Sequence, residues 1–186
     1  MERDGEHYQQ YLAGDDEGLV AIIRQYQHGL TLYLNTYVGN LHVAEELAED
    51  TFVKLATKKP AFRGKSAFGT WLFAIGRRVA LDHLRRHRRK APLSTEDYGD
   101  LLPATADDPA DTVQKQEEAA RLRRALYRLP PAYRQALWLI YYEQYSHERV
   151  AAVMGRSVHA VDTLVYRARQ ALKTILEQEE ITYEIP

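Results

Sequence analysis

The 186-residue chain contains no cysteine, so disulfide bridges, thiolate zinc sites and cysteine nucleophiles are excluded. It has no apolar run of membrane-spanning length, and its opening MERDGEHYQQ is too polar for a secretory leader. We therefore expect a cytoplasmic protein with no membrane insertion. No HExxH pair, phosphate-cradling glycine loop or serine nucleophile motif occurs, so no enzymatic activity, cofactor or metal is expected. The enzymatic alternative is a metal-dependent hydrolase using Glu45, Glu46, Glu49, Asp50 and His42; Glu46 and Asp50 share a helix face, but the usual metal motif is missing. Net charge is also scarce, at −1 for the whole chain, while 45% apolar residues exclude a disordered polypeptide.

That near-balance hides a segregation of charge. Residues 77–90 carry seven Arg or Lys (77, 78, 85, 86, 88, 89 and 90) against Asp82 alone, a net of +6. Residues 91–118 carry eight acids against Lys115, a net of −7. The basic run ends the stretch FRGKSAFGTWLFAIGRRVALDHLRRHRRK, residues 62–90, in which Phe68, Trp71, Leu72, Ile75 and Val79 recur at helical steps and Ser66 is placed to cap the helix. A helix apolar on one side and cationic on the other suits a polyanion such as a phosphate backbone, although a solvated structural face has the same pattern. Aromatic residues beside Lys and Arg suit unstacked bases. Trp71 and Phe68 fall on the core stripe, whereas Phe62 lies before the helix in a glycine-containing loop and is the better base contact.

Apolar spacing predicts helices over residues 7–13, 16–38 and 42–58, with turn signals at Gly14 and at Gly39-Asn40, and Pro60 as a stop. With the organising helix these form an all-helical domain, residues 1–92. Residues 93–112, rich in Pro, Asp, Ser and Thr, read as an acidic flexible linker. Residues 113–186 begin with a helix to about residue 127, broken at Leu129-Pro130-Pro131 before a helix carrying Leu137, Ile140 and Tyr141. Ser146 then opens HERVAAVM, Gly155 stops it, and Ser157 opens a second amphipathic helix. A short capped helix, a glycine turn and a second capped helix have the format of a DNA-binding helix-turn-helix, and a helical hairpin used for packing looks alike.

Taken together, these motifs resemble the extracytoplasmic-function sigma factors of bacterial RNA polymerase. The segment VAEELAEDTF, residues 43–52, is similar to that family's acidic core-binding helix, residues 62–89 to its promoter-melting and minus-ten-reading stretch, and residues 129–172 to its minus-thirty-five domain. The resemblance implies an all-α protein of two helical domains, no catalysis by the subunit, and binding to core RNA polymerase and to promoter DNA as duplex and melted strand. It also implies control by an anti-sigma factor. Carried over residue by residue, it assigns core binding to Glu45, Glu46, Leu47, Glu49, Asp50 and Phe52, with the two apolar residues beneath or beside the acids. It assigns minus-ten DNA to Phe62, Lys65, Ser66, Trp71, Arg77, Arg78, Asp82, Arg85 and Arg86. Minus-thirty-five DNA falls to Ser157, His159, Ala160, Asp162, Thr163, Tyr166, Arg167 and Arg169.

The chain departs from the family pattern in two places. Gly76, Arg77 and Arg78 stand where Ala and Asn are usual, so the minus-ten sequence it reads cannot be taken from relatives. Asp162 and Leu164 replace common residues of the recognition helix. Asp162 repels phosphate, but it could accept from a cytosine amino group or orient Arg167. His147 reads as a plain surface residue. A regulator using only the helix-turn-helix is the rival reading, and it leaves residues 62–90 and the acidic helix unexplained.

Overall fold

The computed structural model describes residues 3–87 and 113–178, and within them the chain is helical with no strand. Helix α1 is Arg3–Leu12, α2 Asp16–Val38, α3 Leu41–Lys58, α4 Phe68–His87, α5 Val113–Arg128, α6 Pro131–Leu137, α7 His147–Met154 and α8 Val158–Gln178. Residues 88–112, including Arg88, Arg89, Lys90 and the expected linker, lie outside the described residues, as does the chain beyond 178.

The punctuation follows side-chain chemistry. Asp15 accepts from the Glu17 amide at the start of α2, and Asn40 accepts from the Val43 amide at the start of α3, each supplying a partner that the first helical turn lacks. Gly39 closes α2 in the left-handed region, with φ 66°, where a Cβ would be strained. Ser66 does not cap α4 as expected. The helix begins at Phe68, and the Ser66 hydroxyl instead lies 3.4 Å from the Ala67 carbonyl. With Gly64 at φ 65°, the loop delays the helix start by one residue.

Helices α1 to α4 pack around Tyr8, Ile22, Leu30, Tyr33, Leu47, Leu55, Phe68, Leu72 and Phe73, all almost wholly buried. Close approach of α1 to α2 requires a glycine at position 18, where an added Cβ would lie 2.2 Å from the His7 carbonyl oxygen. The buried stripe of α4 is wider than the spacing of Phe68, Leu72, Ile75 and Val79, because it includes Phe73 and Gly76. Gly76 faces Leu30 and Leu34 of α2 and Thr51 of α3, and Phe73 packs on Tyr33 of α2 and also on the second half of the chain. α7 packs on α4, α6 packs on α2, and the ring of Tyr145 stands 5.7 Å from that of Phe73. Arg149 Nε donates to Thr70 Oγ1 at 2.9 Å, and Arg134 Nε donates to the Thr36 carbonyl at 3.0 Å. One apolar core runs from α1 to α8, and a smaller one joins Ala125, Leu129, Leu137, Ala168, Leu172 and Leu176.

Between α6 and α7 the chain widens into a π-helical segment, Trp138–Tyr142, closed by the Glu143 amide on the Trp138 carbonyl. The extra residue per turn shifts the helical phase, so Tyr141 and Tyr142 face outward rather than joining Leu137 in the core. The same segment delivers Glu143 into the seam against α2, with a carboxylate oxygen where a Gly29 Cβ would meet it at 2.7 Å. Burial raises the Glu143 carboxyl above its ordinary value, while the Trp138 side chain and Arg149 pull the other way. The protonated form is therefore favoured in the fold; its stabilisation is complete below the ordinary glutamate value and is lost as pH rises through the raised one. Glu143→Gln should raise the thermal midpoint at pH 7.5, and wild type and variant should converge as pH falls below the ordinary glutamate value. Melting curves across that range check this, and a lower midpoint for the variant at pH 7.5 would contradict it.

Candidate nucleic-acid interface

The acidic residues of α3 form an exposed ridge. Glu45, Glu46, Glu49 and Asp50 all face solvent, with His42 Nδ1 3.8 Å from Glu45 and Nε2 3.5 Å from Glu46. Leu47 and Phe52 are only 2% and 6% exposed, so they support the ridge from below and do not present a contact surface. The exposed apolar residue is Val53, next to Lys54 and three positions after Asp50. Its signal in the sequence was a β-branched residue on the polar side of the helix, a weak one taken alone. The ridge continues onto α4, where His83 lies near Glu46 and Asp50 and stacks on His87 with ring centroids 3.9 Å apart. Burial, His87 and Arg86 hold the His83 imidazole below its ordinary value against the pull of the two acids, which favours the neutral ring.

Phe62 sits at the mouth of an aromatic cluster. Its ring meets Phe68 edge-on at 5.3 Å and Trp71 at 5.2 Å, and Trp71 packs in turn on Tyr8 at 5.4 Å. Both Phe62 and Trp71 are half-buried, so each has one face in the protein and another portion open. Lys65 and Ser66 are exposed beside them, as is Arg63, a cation the residue-by-residue assignment passed over. Further along α4, Arg78, Arg85 and Arg86 are exposed. Asp82 pairs with Arg85 through its side chain and accepts from Arg86 Nε through its backbone carbonyl, so it braces two cations.

Arg77 points elsewhere. It is half-buried beside the phenols of Tyr33 and Tyr37, whose oxygens are 2.7 Å apart, and its Nε is buried. Burial pushes the Tyr37 phenol up to about 12, while the Tyr33 hydrogen bond, Arg77 and, from the turn after α7, Arg156 act in the opposite sense. In this arrangement Arg77 belongs to the seam between the two halves of the molecule.

The third surface is built by α7 and α8. Ser146 Oγ accepts from the Arg149 amide, and Ser157 Oγ accepts from the Ala160 amide at 3.2 Å. Gly155, at φ 63°, makes the turn between them. Val150, Val153, Met154, Val161, Leu164 and Val165 are buried and hold the two helices together, so Leu164 is a packing residue. His159, Asp162, Tyr166, Arg167 and Gln170 face outward on α8; Thr163 is half-buried and its hydroxyl donates to the His159 carbonyl at 3.1 Å. Tyr166 is the most exposed large apolar side chain of this surface, at 66%. Ala160 is half-buried. Arg169 turns back over the Tyr141 ring at 5.4 Å, away from the outward row. Asp162 is held by His147 of α7, and not by Arg167.

Among the described residues no cluster of His, Asp and Glu could hold a metal ion, and no helix is long and apolar enough to cross a membrane. The molecule thus combines an acidic ridge, an aromatic mouth beside a row of cations, and a capped helix pair with a polar outer face. Residues 22–90 match the family described as Sigma-70 region 2, and residues 119–172 match Sigma-70, region 4. The chain is 30% identical over 152 residues to the RNA polymerase sigma factor YlaC of Bacillus subtilis, covering 82% of this chain and 88% of that protein. It is 27% identical over 154 residues to the ECF RNA polymerase sigma factor SigM of the same organism, covering 83% of this chain and 92% of that one. Its fold is similar to that of the sigma factor RpoE solved in complex with the anti-sigma factor NepR from Bartonella quintana, with a TM-score of 0.66 at 24% identity over 83% of this chain and 94% of that one. With its two family regions in order and a relative matched over most of its length, the chain belongs to the sigma-70 family, in the extracytoplasmic-function group of RNA polymerase sigma factors.

Proposed function

We propose that this protein is a promoter-specificity subunit: it binds core RNA polymerase, reads minus-ten and minus-thirty-five elements, and helps open the duplex for transcription initiation in the cytoplasm. It carries out no catalysis itself. Residues 1–92 serve core binding, melting and minus-ten readout, residues 93–112 link the halves, and residues 113–186 read the minus-thirty-five element. The observation that carries this reading is the coexistence on one chain of an exposed acidic ridge and two separate surfaces suited to nucleic acid. A simple DNA-binding regulator has use for only the last of the three.

Glu45, Glu46, Glu49 and Asp50 are the polar contacts to polymerase, with Val53 as an apolar contact among them. Phe62 and Trp71, with Lys65 and Ser66, receive a base turned out of the opening duplex, a step that costs a few kcal/mol of unstacking. Arg78, Arg85 and Arg86 hold the backbone, and Arg77 joins them when the seam parts. His159, Asp162, Thr163, Tyr166 and Arg167 face the minus-thirty-five groove, with Ser157 and Ala160 at the helix start where such helices meet bases. An anti-sigma partner covering these surfaces fits the same reading, and the solved RpoE–NepR complex supports it.

A gel-shift experiment with and without core polymerase tests the proposal. Strong promoter binding that requires core supports it. Tight, sequence-specific duplex binding by the protein alone, unaltered by core, favours the simple regulator.

A further inference from the structure

The clasp between His147 and Asp162 joins the first residue of α7 to the second turn of α8, fifteen residues away. We infer that His147 is a positioning residue for minus-thirty-five readout, holding the Asp162 carboxylate in the orientation that accepts a hydrogen bond from a cytosine amino group. The inference rests on α8 being the helix that enters the groove.

Stability does not account for the pair. The His147 and Asp162 side chains are 37% and 52% exposed, and ion pairs so placed contribute little to folding. The helix pair is already held by its buried valines, Met154 and Leu164. What the clasp does provide is a fixed direction for an otherwise free carboxylate. An exposed aspartate samples several rotamers, and α8 offers Asp162 no cation one turn ahead, since Val165 and Tyr166 stand three and four residues on. On the other side, His159 lies one turn back, so without His147 the carboxylate has a competing partner on its own helix.

The neighbouring acid Glu148 feels the imidazole charge only as a lesser influence, and the hydrogen bond of His147 goes to Asp162. Glu148 is drawn to the Ser146 hydroxyl and to its own backbone amide, which together hold its carboxyl below the ordinary value. The His147 bond joins its Nδ1 to Asp162 Oδ1. An ionised carboxylate only accepts hydrogen bonds, so on a DNA-facing helix it is repelled by phosphate and rewarded only by a base-edge donor; cytosine N4 is the usual partner of an acidic side chain in the major groove. Engagement of one carboxylate oxygen by His147 leaves the other to meet that donor.

The test uses holoenzyme reconstituted with core polymerase and a promoter library randomised across the minus-thirty-five element. Wild type should prefer cytosine at one position, and Asp162→Ala should lose that preference by about 5- to 100-fold while others persist. His147→Ala should lose several-fold at the same position only, and the double variant should be no worse there than Asp162→Ala. His147→Asn, whose side-chain nitrogen is as many bonds from Cα as the imidazole Nδ1, should restore most of the preference. Melting temperatures should stay near wild type throughout. An unchanged His147→Ala profile, or a uniform loss at all positions with a lowered melting temperature, would overturn the inference while leaving the functional reading intact. A wild-type holoenzyme indifferent to the minus-thirty-five element would overturn that reading and this inference with it.

Discussion

Replacing Glu46 and Asp50 together by Lys should abolish co-elution with core RNA polymerase while helicity and thermal unfolding stay near wild type. The expectation follows from where the two side chains stand. Glu46 is 61% exposed, with His42 as its ion-pair neighbour among the described residues, and Asp50 lies one turn further along the same ridge. Exposed pairs of this kind contribute at most about 1 kcal/mol to folding, so the fold should tolerate their loss. Across an interface the arithmetic differs, because removing one partner of a desolvated charge pair costs about 2–5 kcal/mol, and reversal adds repulsion. Two such changes exceed about 4 kcal/mol, or roughly a thousandfold in affinity. The buried Leu47 and Phe52 beneath stay in place, so the variant separates a polymerase contact from a structural role. Unchanged co-elution would place the polymerase contact elsewhere.

The second large effect concerns Phe62. Its ring is half-buried against Phe68 and Trp71, which supplies a preformed stacking platform and also a packing role to be separated from it. Phe62→Ala should cost on the order of 1–3 kcal/mol at the opening step, the usual worth of a base stacked on an aromatic ring. A base stacks there only once it has left the duplex. Most of the loss should therefore vanish on a template whose minus-ten bases are already mismatched, as measured by open-complex formation on both templates. Equal defects on the two templates, with a lowered melting temperature to match, would assign Phe62 to packing alone.

Much of this arrangement was legible in the sequence where short-range chemistry decides the outcome. Ser146, Gly155 and Ser157 bound α7 and open α8 because caps and left-handed glycines act within one turn, and α7 falls on HERVAAVM as expected. The acidic ridge followed from helical periodicity alone, with Leu47 and Leu55 on one side and Glu46 and Asp50 on the other. Contacts between distant segments left no such trace. The burial of Phe73 involves Tyr26, Tyr33 and Tyr145 from distant segments, the inward turn of Arg77 involves Tyr33 and Tyr37, and the return of Arg169 over Tyr141 follows a π-helical widening that no residue pattern announces. Asp162 was expected to serve Arg167 or a base, yet Arg167 stands five residues on, off its helix face. His147 is a neighbour only after α7 has folded onto α8.

Transcription in vitro from a genomic promoter library, with purified core polymerase and this protein, tests the central claim most directly. The account predicts transcripts that start at a defined subset of promoters sharing minus-ten and minus-thirty-five elements, that require both protein and core, and that are lost with the Glu46 and Asp50 reversal. Transcription by core that is indifferent to the protein, or a protein that selects DNA without selecting start sites, would contradict it.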